Sequence, residues 1–207
     1  MKIKDLEVIR TSSPLHKTAG TNWLFVKILT DTDIVGWGEG SLQYKDSALE
    51  AEISDMKKFL IDKNPLNIED IWTSLFRKVT WSGGAVTMSA ISAIDLALWD
   101  IKGKAYGVPV YDLVGGKTRD KVKVYANGWF ENISLSSPTA RKESPKLYAE
   151  SASKLVDDGW KALKFYPFGG PQVTTPEQIF DGVNLVEVVR SSIGNLVDIG
   201  VDIRARL

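Results

Sequence analysis

Three polar side chains stand where apolar runs end in the second half of the chain. Lys164 lies near the end of the run 161–165, Tyr166 follows it, and Asp202 closes an apolar run that begins at residue 195. If these runs are neighbouring parallel strands, their carboxyl ends share one edge of the sheet, where such folds carry out their chemistry. A cation, a phenol and a carboxylate at successive strand ends therefore predict a polar ring that could serve as a site.

The composition limits what kind of site this can be. The chain has no cysteine and a single histidine, His16, so any metal bound by this chain alone would be held by oxygen ligands, as Mg²⁺ is. Lysine plus arginine (26) equals aspartate plus glutamate (26), which creates no net field toward nucleic acid or an anionic membrane. No apolar run approaches the roughly 20 residues of a membrane span, and the start MKIKDLEVIR lacks a secretory signal. We expect a cytoplasmic protein that binds neither nucleic acid nor membrane.

The first half of the chain predicts a small sheet followed by helices. Apolar runs at 3–9, 23–30 and 34–40, with turn residues between them, indicate a meander of three antiparallel strands. Helical periodicity follows over 46–63, 68–76 and 86–106. Two loops separate these elements, at 14–22 around His16 and at 79–85 around Trp81. We interpret Glu39 as structural, and Asp95 and Asp100 on the long helix as packing or capping residues.

The second half alternates strands with helices. Strands are predicted at 122–126, 161–165 and 195–203, with helices at 145–158 and 176–192 between them. A β-α-β-α-β order indicates parallel strands, either in an open doubly wound sheet or in a (β/α) barrel. The first strand is followed by Asn127-Gly128-Trp129-Phe130 rather than a glycine-rich phosphate loop, which favours the barrel. We predict two domains, 1–117 and 118–207.

One long stretch carries a specific family resemblance. Residues 90–115 read AISAIDLALWDIKGKAYGVPVYDLVG. Three shorter motifs occur elsewhere in the chain: GWGEG at 36–40, VYANG at 124–128 and GWKALKFYPFG at 159–169. This pattern resembles the mandelate racemase/muconate lactonizing enzyme family of the enolase superfamily, and is most similar to its acid-sugar dehydratases of the gluconate or galactonate type. The resemblance implies an α+β N-terminal capping domain over 1–117 and the first βα units of a TIM-type barrel over 118–207.

The resemblance also implies a chemistry and roles for individual residues. Family members use Mg²⁺ to stabilise the enolate formed when a base removes the proton next to a carboxylate; a dehydratase then loses water to give a 2-keto-3-deoxy acid. On this basis Asp202 is the first metal ligand and Lys164 lies beside the substrate carboxylate. Tyr166 stands where relatives often keep a catalytic group, while His16 and Trp81 lie on loops that shape specificity. The chain departs from the pattern at Arg204, where sugar-acid dehydratases often have histidine.

The resemblance leaves other functions open. A racemase or cycloisomerase acting on another carboxylate would share these residues, because the base that distinguishes such enzymes usually lies beyond position 207. A full barrel takes about 250 residues and eight strands, whereas three strands are predicted here. We therefore also consider a truncated or split, non-catalytic fragment. The expected ligand is a small sugar acid, and the expected partner is a second copy or the missing part of the barrel.

Overall fold

The chain forms two compact units. The computed structural model describes residues 1–12, 22–77, 80–130, 133, 138–168 and 175–203, with the backbone alone at 138–142. One unit spans Met1–Thr118 and the other Arg119–Leu207. We call them the capping unit and the βα unit.

The sheet of the capping unit is the predicted meander. It contains β1 (Ile3–Ser12), β2 (Asn22–Thr30) and β3 (Val35–Glu39), all antiparallel and in the order β1-β2-β3. Alternate side chains of β2 are completely buried, namely Leu24, Val26 and Ile28. Because successive side chains of a strand point to opposite faces, this alternation places one face of the sheet on the core.

The described residues of the capping unit also form four α-helices, α1 (Asp46–Met56), α2 (Ile68–Arg77), α3 (Gly84–Tyr106) and α4 (Val110–Leu113), and a short 3₁₀ helix at Lys57–Phe59. The first three agree with the predicted helical periodicity, whereas the short α4 was not predicted. α3 ends at Gly107, which adopts the left-handed conformation (φ 69°) typical of a helix C-terminus. The shared core combines β1 and β2 with all three long helices, through Leu49, Ile53, Ile71, Ile91, Ile94 and Leu98.

Strand β3 lies unusually close to the backbone of α3. A Cβ atom on Gly36 would stand 2.2 Å from the carbonyl oxygen of Ala97, and one on Gly38 would stand 2.0 Å from that of Ala93. Real Cβ atoms essentially never make such contacts, so any residue other than glycine at these two positions would force the strand or the helix backbone to shift. The GWGEG motif therefore reflects close packing of a strand on a helix.

This close approach lets two α3 side chains reach the outer edge of β3. The Trp37 N–H donates to Asp100 Oδ2 (2.9 Å), and Lys104 Nζ donates to the carbonyl oxygen of Val35 (2.8 Å) and to Asp100 Oδ2 (2.6 Å). An edge strand otherwise presents unpaired backbone groups that can recruit another strand. The Asp100–Lys104 pair thus caps the edge of β3.

We expect Asp100→Ala to destabilise the capping unit by about 1–2 kcal/mol, because the Trp37 amide and the Lys104 ammonium both lose an ionised acceptor. Faster hydrogen exchange of the Trp37 amide, together with a lower denaturation midpoint, would show the loss. Asp55→Ala, on an exposed position of α1, is the matched control and should leave both unchanged. Unaltered Trp37 exchange in Asp100→Ala would contradict the capping role.

Helix α3 corrects one expectation about hydropathy. Among the described residues it is the one helix that is long and apolar enough, by length and composition alone, to cross a membrane, with a mean hydropathy of 1.3 over its best window. No apolar run of that length was expected from the sequence. Eight of its residues are buried in the capping unit, so the core position of the helix accounts for its apolar composition.

The βα unit contains two parallel strands, β4 (Ala162–Phe165) and β5 (Asp198–Val201), and two helices, α5 (Pro138–Asp157) and α6 (Pro176–Ile193). The parallel pairing confirms the prediction from the β-α-β order. α6 begins with a capping box in which Thr175 and Gln178 satisfy each other's backbone N–H groups. α5 begins earlier than predicted and contains Pro145.

The predicted strand at 122–126 is reduced to a single residue. Ala126 forms a parallel bridge with Leu163, in which its N–H donates to Ala162 and its carbonyl accepts from Lys164, both at 2.9 Å. Residues 121–125 have no strand structure, so that part of the prediction is wrong. Val122 and Val124 are 76% and 64% exposed, so the alternating valines gain no burial that would hold them extended.

Candidate functional site

Lys164 lies near the carboxyl end of the buried strand β4. Leu163 and Phe165 are completely buried on one face, and Lys164 occupies the opposite face because strand side chains alternate. The other three residues of β4, Ala162, Leu163 and Phe165, are buried. This is expected for a parallel strand that is covered by helices. This lysine is therefore held at the sheet rather than on a mobile surface segment.

Asp202 lies directly beyond the end of β5 and beside Lys164. Its N–H donates to the carbonyl oxygen of Phe165 (2.9 Å), which extends the parallel pairing by one residue. Lys164 Nζ lies 3.0 Å from Asp202 Oδ2, and their side chains are 22% and 31% exposed. Lys164 and Asp202, two of the predicted site residues, thus form an ion pair at the carboxyl ends of adjacent strands. The partial shielding from water makes the pair stronger than an ordinary surface ion pair.

Trp129 continues the hydrogen bonding of β4 after the first strand segment has ended. In a parallel ladder that contains the Ala126–Leu163 bridge, the next N–H to reach Lys164 would come from residue 128. Gly128 instead turns the chain away, with a φ of 75°. The indole Nε1–H of Trp129 donates to the Lys164 carbonyl oxygen (3.0 Å). The tryptophan therefore takes the place of the missing backbone donor.

Tyr166 belongs to an aromatic cluster formed by Trp129, Phe130, Tyr148, Phe165 and Tyr166. The Tyr166 ring meets Phe130 edge-to-face, with 4.6 Å between ring centroids. Burial, and to a smaller extent the neighbouring Tyr166, raise the pKa of Tyr148 above its ordinary value, so that phenol stays neutral at physiological pH. The cluster fixes the position of the Tyr166 ring one residue beyond β4, and its catalytic role stays a prediction.

The remaining predicted site residues are Trp81 and His16. Trp81 belongs to the capping unit and is 91% exposed, so its position before α3 agrees with a surface loop. His16 and Arg204 lie outside the described residues. Trp129 and Gly200 were not predicted as site residues, although the Asn127-Gly128-Trp129 step after a predicted strand was visible in the sequence.

The described residues do not by themselves form a complete metal site. They contain no group of three or more histidine, cysteine, aspartate or glutamate side chains that could hold an ion. Asp202 offers a carboxylate, but the Lys164 ammonium already lies against one of its oxygens. Mg²⁺ in proteins combines carboxylates with substrate oxygens and waters in octahedral geometry. This part of the chain could contribute one ligand to such a site.

Comparison with known proteins decides the family. The model for the N-terminal domain of the mandelate racemase/muconate lactonizing enzyme family matches residues 3–115. The chain belongs to this family. The match confirms the resemblance inferred from the Gly36–Gly40 and Ala90–Gly115 motifs.

Related sequences and structures extend the match across the second unit of this family member. The chain is 37% identical over 186 residues to a D-galactonate dehydratase of Pectobacterium atrosepticum. The aligned region covers 89% of this chain and 46% of that protein. It is 36% identical over 188 residues to a D-galactonate dehydratase of Variovorax paradoxus, with coverage of 89% and 46%. The chain thus spans about half the length of the curated relatives it matches.

Solved structures of the superfamily share the fold. A member of the enolase superfamily from Salmonella Typhimurium matches with a TM-score of 0.81 and 31% identity, over 96% of this chain and 53% of that one. A mandelate racemase/muconate lactonizing enzyme from Sulfitobacter sp. matches with a TM-score of 0.77 and 33% identity, over 97% and 52%. These matches confirm the predicted fold class, an α+β capping domain followed by the first βα units of the barrel.

Proposed function

We propose that this chain supplies the capping domain and the first barrel strands of an acid-sugar dehydratase. The single observation that carries the proposal is the Lys164–Asp202 ion pair at the carboxyl ends of adjacent parallel strands (3.0 Å), in a chain similar to proteins named D-galactonate dehydratase. That edge of the sheet is where barrel enzymes place their catalytic groups.

The proposed reaction removes the proton next to the carboxylate of an aldonate and expels the hydroxyl of the next carbon as water. The enol that remains becomes a 2-keto-3-deoxy acid, so the sugar acid loses one water and no oxidant is required. Within this chain, Lys164 would bind the negatively charged substrate, since an ammonium pairs readily with carboxylate oxygens. Tyr166 is the proposed second catalytic group, and His16 and Trp81 are proposed to shape specificity.

We also propose that Asp202 is the carboxylate that this chain contributes to a Mg²⁺ site. Its further ligands do not lie among the described residues, so we assign no reaction step to the metal. Oxygen ligands suit a hard cation, and the chain has neither cysteine nor a second histidine to offer.

The proposed partner covers the apolar surface of the βα unit. Leu196 is 95% exposed and Phe180 is 74% exposed, which is unusual for large apolar side chains that are meant to stay in water. We propose that a second copy or the remaining part of a barrel covers them, in the cytoplasm and without nucleic acid or membrane. A monodisperse monomer in sedimentation velocity would contradict self-association.

The function is tested with the full chain joined to the matching C-terminal half of the Pectobacterium dehydratase. With Mg²⁺ and a panel of aldonates that includes galactonate and gluconate, we expect the fusion to form a 2-keto-3-deoxy acid. The 207-residue chain alone should form none, because the described residues provide no complete metal site. Asp202→Asn in the fusion should abolish turnover, whereas Asp198→Asn, at the opposite end of β5 and paired with Lys123, should not.

Two results would overturn the proposal. A folded fusion that exchanges the proton next to the carboxylate with solvent deuterium, yet forms no keto acid, would identify a racemase or cycloisomerase. A folded fusion that neither exchanges nor dehydrates any aldonate would favour a non-catalytic fragment. Turnover by the 207-residue chain alone would contradict the assignment of the missing ligands to the rest of a barrel.

A further inference from the structure

The position opposite Lys164 on the neighbouring strand has no side chain. In the register of the two strands, Lys164 pairs with Gly200. A Cβ atom on Gly200 would lie only 3.4 Å from both Cβ and Cγ of Lys164. The first two carbons of the Lys164 side chain therefore border the space that a side chain at position 200 would use.

The side chain of Lys164 extends toward Asp202. Side chains two residues apart on a strand share a face, so Asp202 lies on the same face as Gly200 and one step nearer the carboxyl end. Lys164 Nζ reaches Asp202 Oδ2 at 3.0 Å. The stem of Lys164 thus crosses β5 diagonally, over Gly200, before its ammonium meets the carboxylate.

Two other reasons for a glycine at position 200 do not apply. Gly200 is not among the glycines with positive φ, so its backbone conformation is open to other residues. The nearest backbone atom to an added Cβ would be the carbonyl oxygen of Leu163 at 3.7 Å, which is an ordinary contact. This contrasts with Gly36 and Gly38, whose Cβ atoms would collide with a helix backbone. What a larger side chain at position 200 meets first is Lys164.

We propose that Gly200 is a positioning residue: its missing side chain opens the path along which Lys164 reaches Asp202. The assignment of this ion pair to sugar-acid chemistry rests on the proposed function, whereas the effect of Gly200 on the pair does not. Residue 200 touches neither substrate nor metal in this proposal and acts only by leaving space.

Substitutions of increasing size test the proposal. Alanine places one methyl group in ordinary contact with the lysine stem, so Gly200→Ala should keep the ion pair. Valine favours strands, but its two further methyl groups occupy the path of the stem. Gly200→Val should therefore expose the Lys164 ammonium without weakening the strand.

The measurement is the rate at which each lysine of the full chain reacts with an amine-acylating reagent, read by peptide mass spectrometry. We expect Lys164 to react about two- to fivefold faster in Gly200→Val, as loss of a modest ion pair predicts, and at an unchanged rate in Gly200→Ala. Lys123, which pairs with Asp198 at the other end of β5, is the internal control. Asp202→Asn sets the rate of a lysine that has lost its partner.

A second variant guards against misfolding of the valine form. The chain contains no cysteine, so Gly200→Cys introduces a single thiol that can be enlarged with a methanethiosulfonate after folding. The Lys164 rate should rise only after this modification. Equal Lys164 rates before and after complete modification, or in folded Gly200→Val and the unaltered chain, would overturn the proposal. Because lysine reactivity is measured without turnover, failure of the dehydratase assay would leave this result standing, and the reverse also holds.

Discussion

Replacing Gly38 with alanine is expected to destabilise the capping unit by about 3 kcal/mol or more, at or above the upper end of the usual cost of overpacking a core. The added Cβ would lie 2.0 Å from the carbonyl oxygen of Ala93 and 2.9 Å from the backbone nitrogen of Ala97. Both are backbone atoms of the core helix α3, so the collision cannot be relieved by a change of rotamer. Either β3 separates from the helix, or the hydrogen bonds of α3 are distorted.

Denaturant unfolding of the full chain, followed by circular dichroism, measures this loss. Glu39→Ala is the matched control, since it places the same side chain on the neighbouring residue of β3, whose own side chain is exposed. We expect that control to change the free energy of unfolding by less than about 0.5 kcal/mol. Gly36→Ala should behave like Gly38→Ala, because its Cβ would lie 2.2 Å from the Ala97 carbonyl oxygen. An unfolding midpoint for Gly38→Ala close to that of Glu39→Ala would refute the close-packing explanation.

Trp129 is expected to have the largest single effect on the βα unit. Its ring contacts Phe130, Tyr148 and Phe165 edge-to-face, with centroid distances of 5.4 to 5.5 Å, and its indole donates to the Lys164 carbonyl oxygen. Trp129→Ala should cost about 3 kcal/mol, since it opens a cavity and leaves that carbonyl without its donor. Trp129→Phe keeps most of the ring contacts and should cost about 1 kcal/mol, mainly for the lost hydrogen bond.

The difference between these two variants separates packing from hydrogen bonding. Trp160→Phe, on an exposed tryptophan of the same unit, is the control and should not shift the unfolding transition. The indole N–H of Trp129 should exchange with solvent more slowly than that of the exposed Trp160, because the Trp129 indole donates to the Lys164 carbonyl oxygen. If Trp129→Phe is as stable as the unaltered chain, the hydrogen bond from the Trp129 indole to the Lys164 carbonyl oxygen does not contribute to stability.

Most of the elements could be predicted because their signals are local. The alternation of β2, the helical spacing over α1 to α3 and the Thr175-Pro176 start of α6 depend on neighbours within a few residues. The prediction of a strand at 122–126 failed, except for the bridge at Ala126, because it depended on packing that the local sequence does not specify. Alternating valines indicate a strand only if another element covers them, and here they stay exposed.

The residues of the candidate site also divide into those that the local sequence identifies and those that only the folded structure reveals. Lys164 and Asp202 were identified from the sequence because each follows an apolar run, and parallel strands bring such ends to one edge. The partners that hold them were not identified. Trp129 acts through a contact 35 residues away in the chain, and Gly200 acts by the absence of a side chain beside Lys164. Neither effect leaves a periodic signal.

By itself, the sequence determined the family, the order and type of most elements, and the residues at the strand ends. These follow from composition, spacing and motif, which are properties of short stretches of chain. Only the tertiary structure decided that Lys164 pairs with Asp202, that an indole completes the ladder of β4, and that Asp100 and Lys104 cap the edge of β3. Each depends on a strand register or an approach of a few ångströms between distant segments, and packing of the folded chain alone sets those distances.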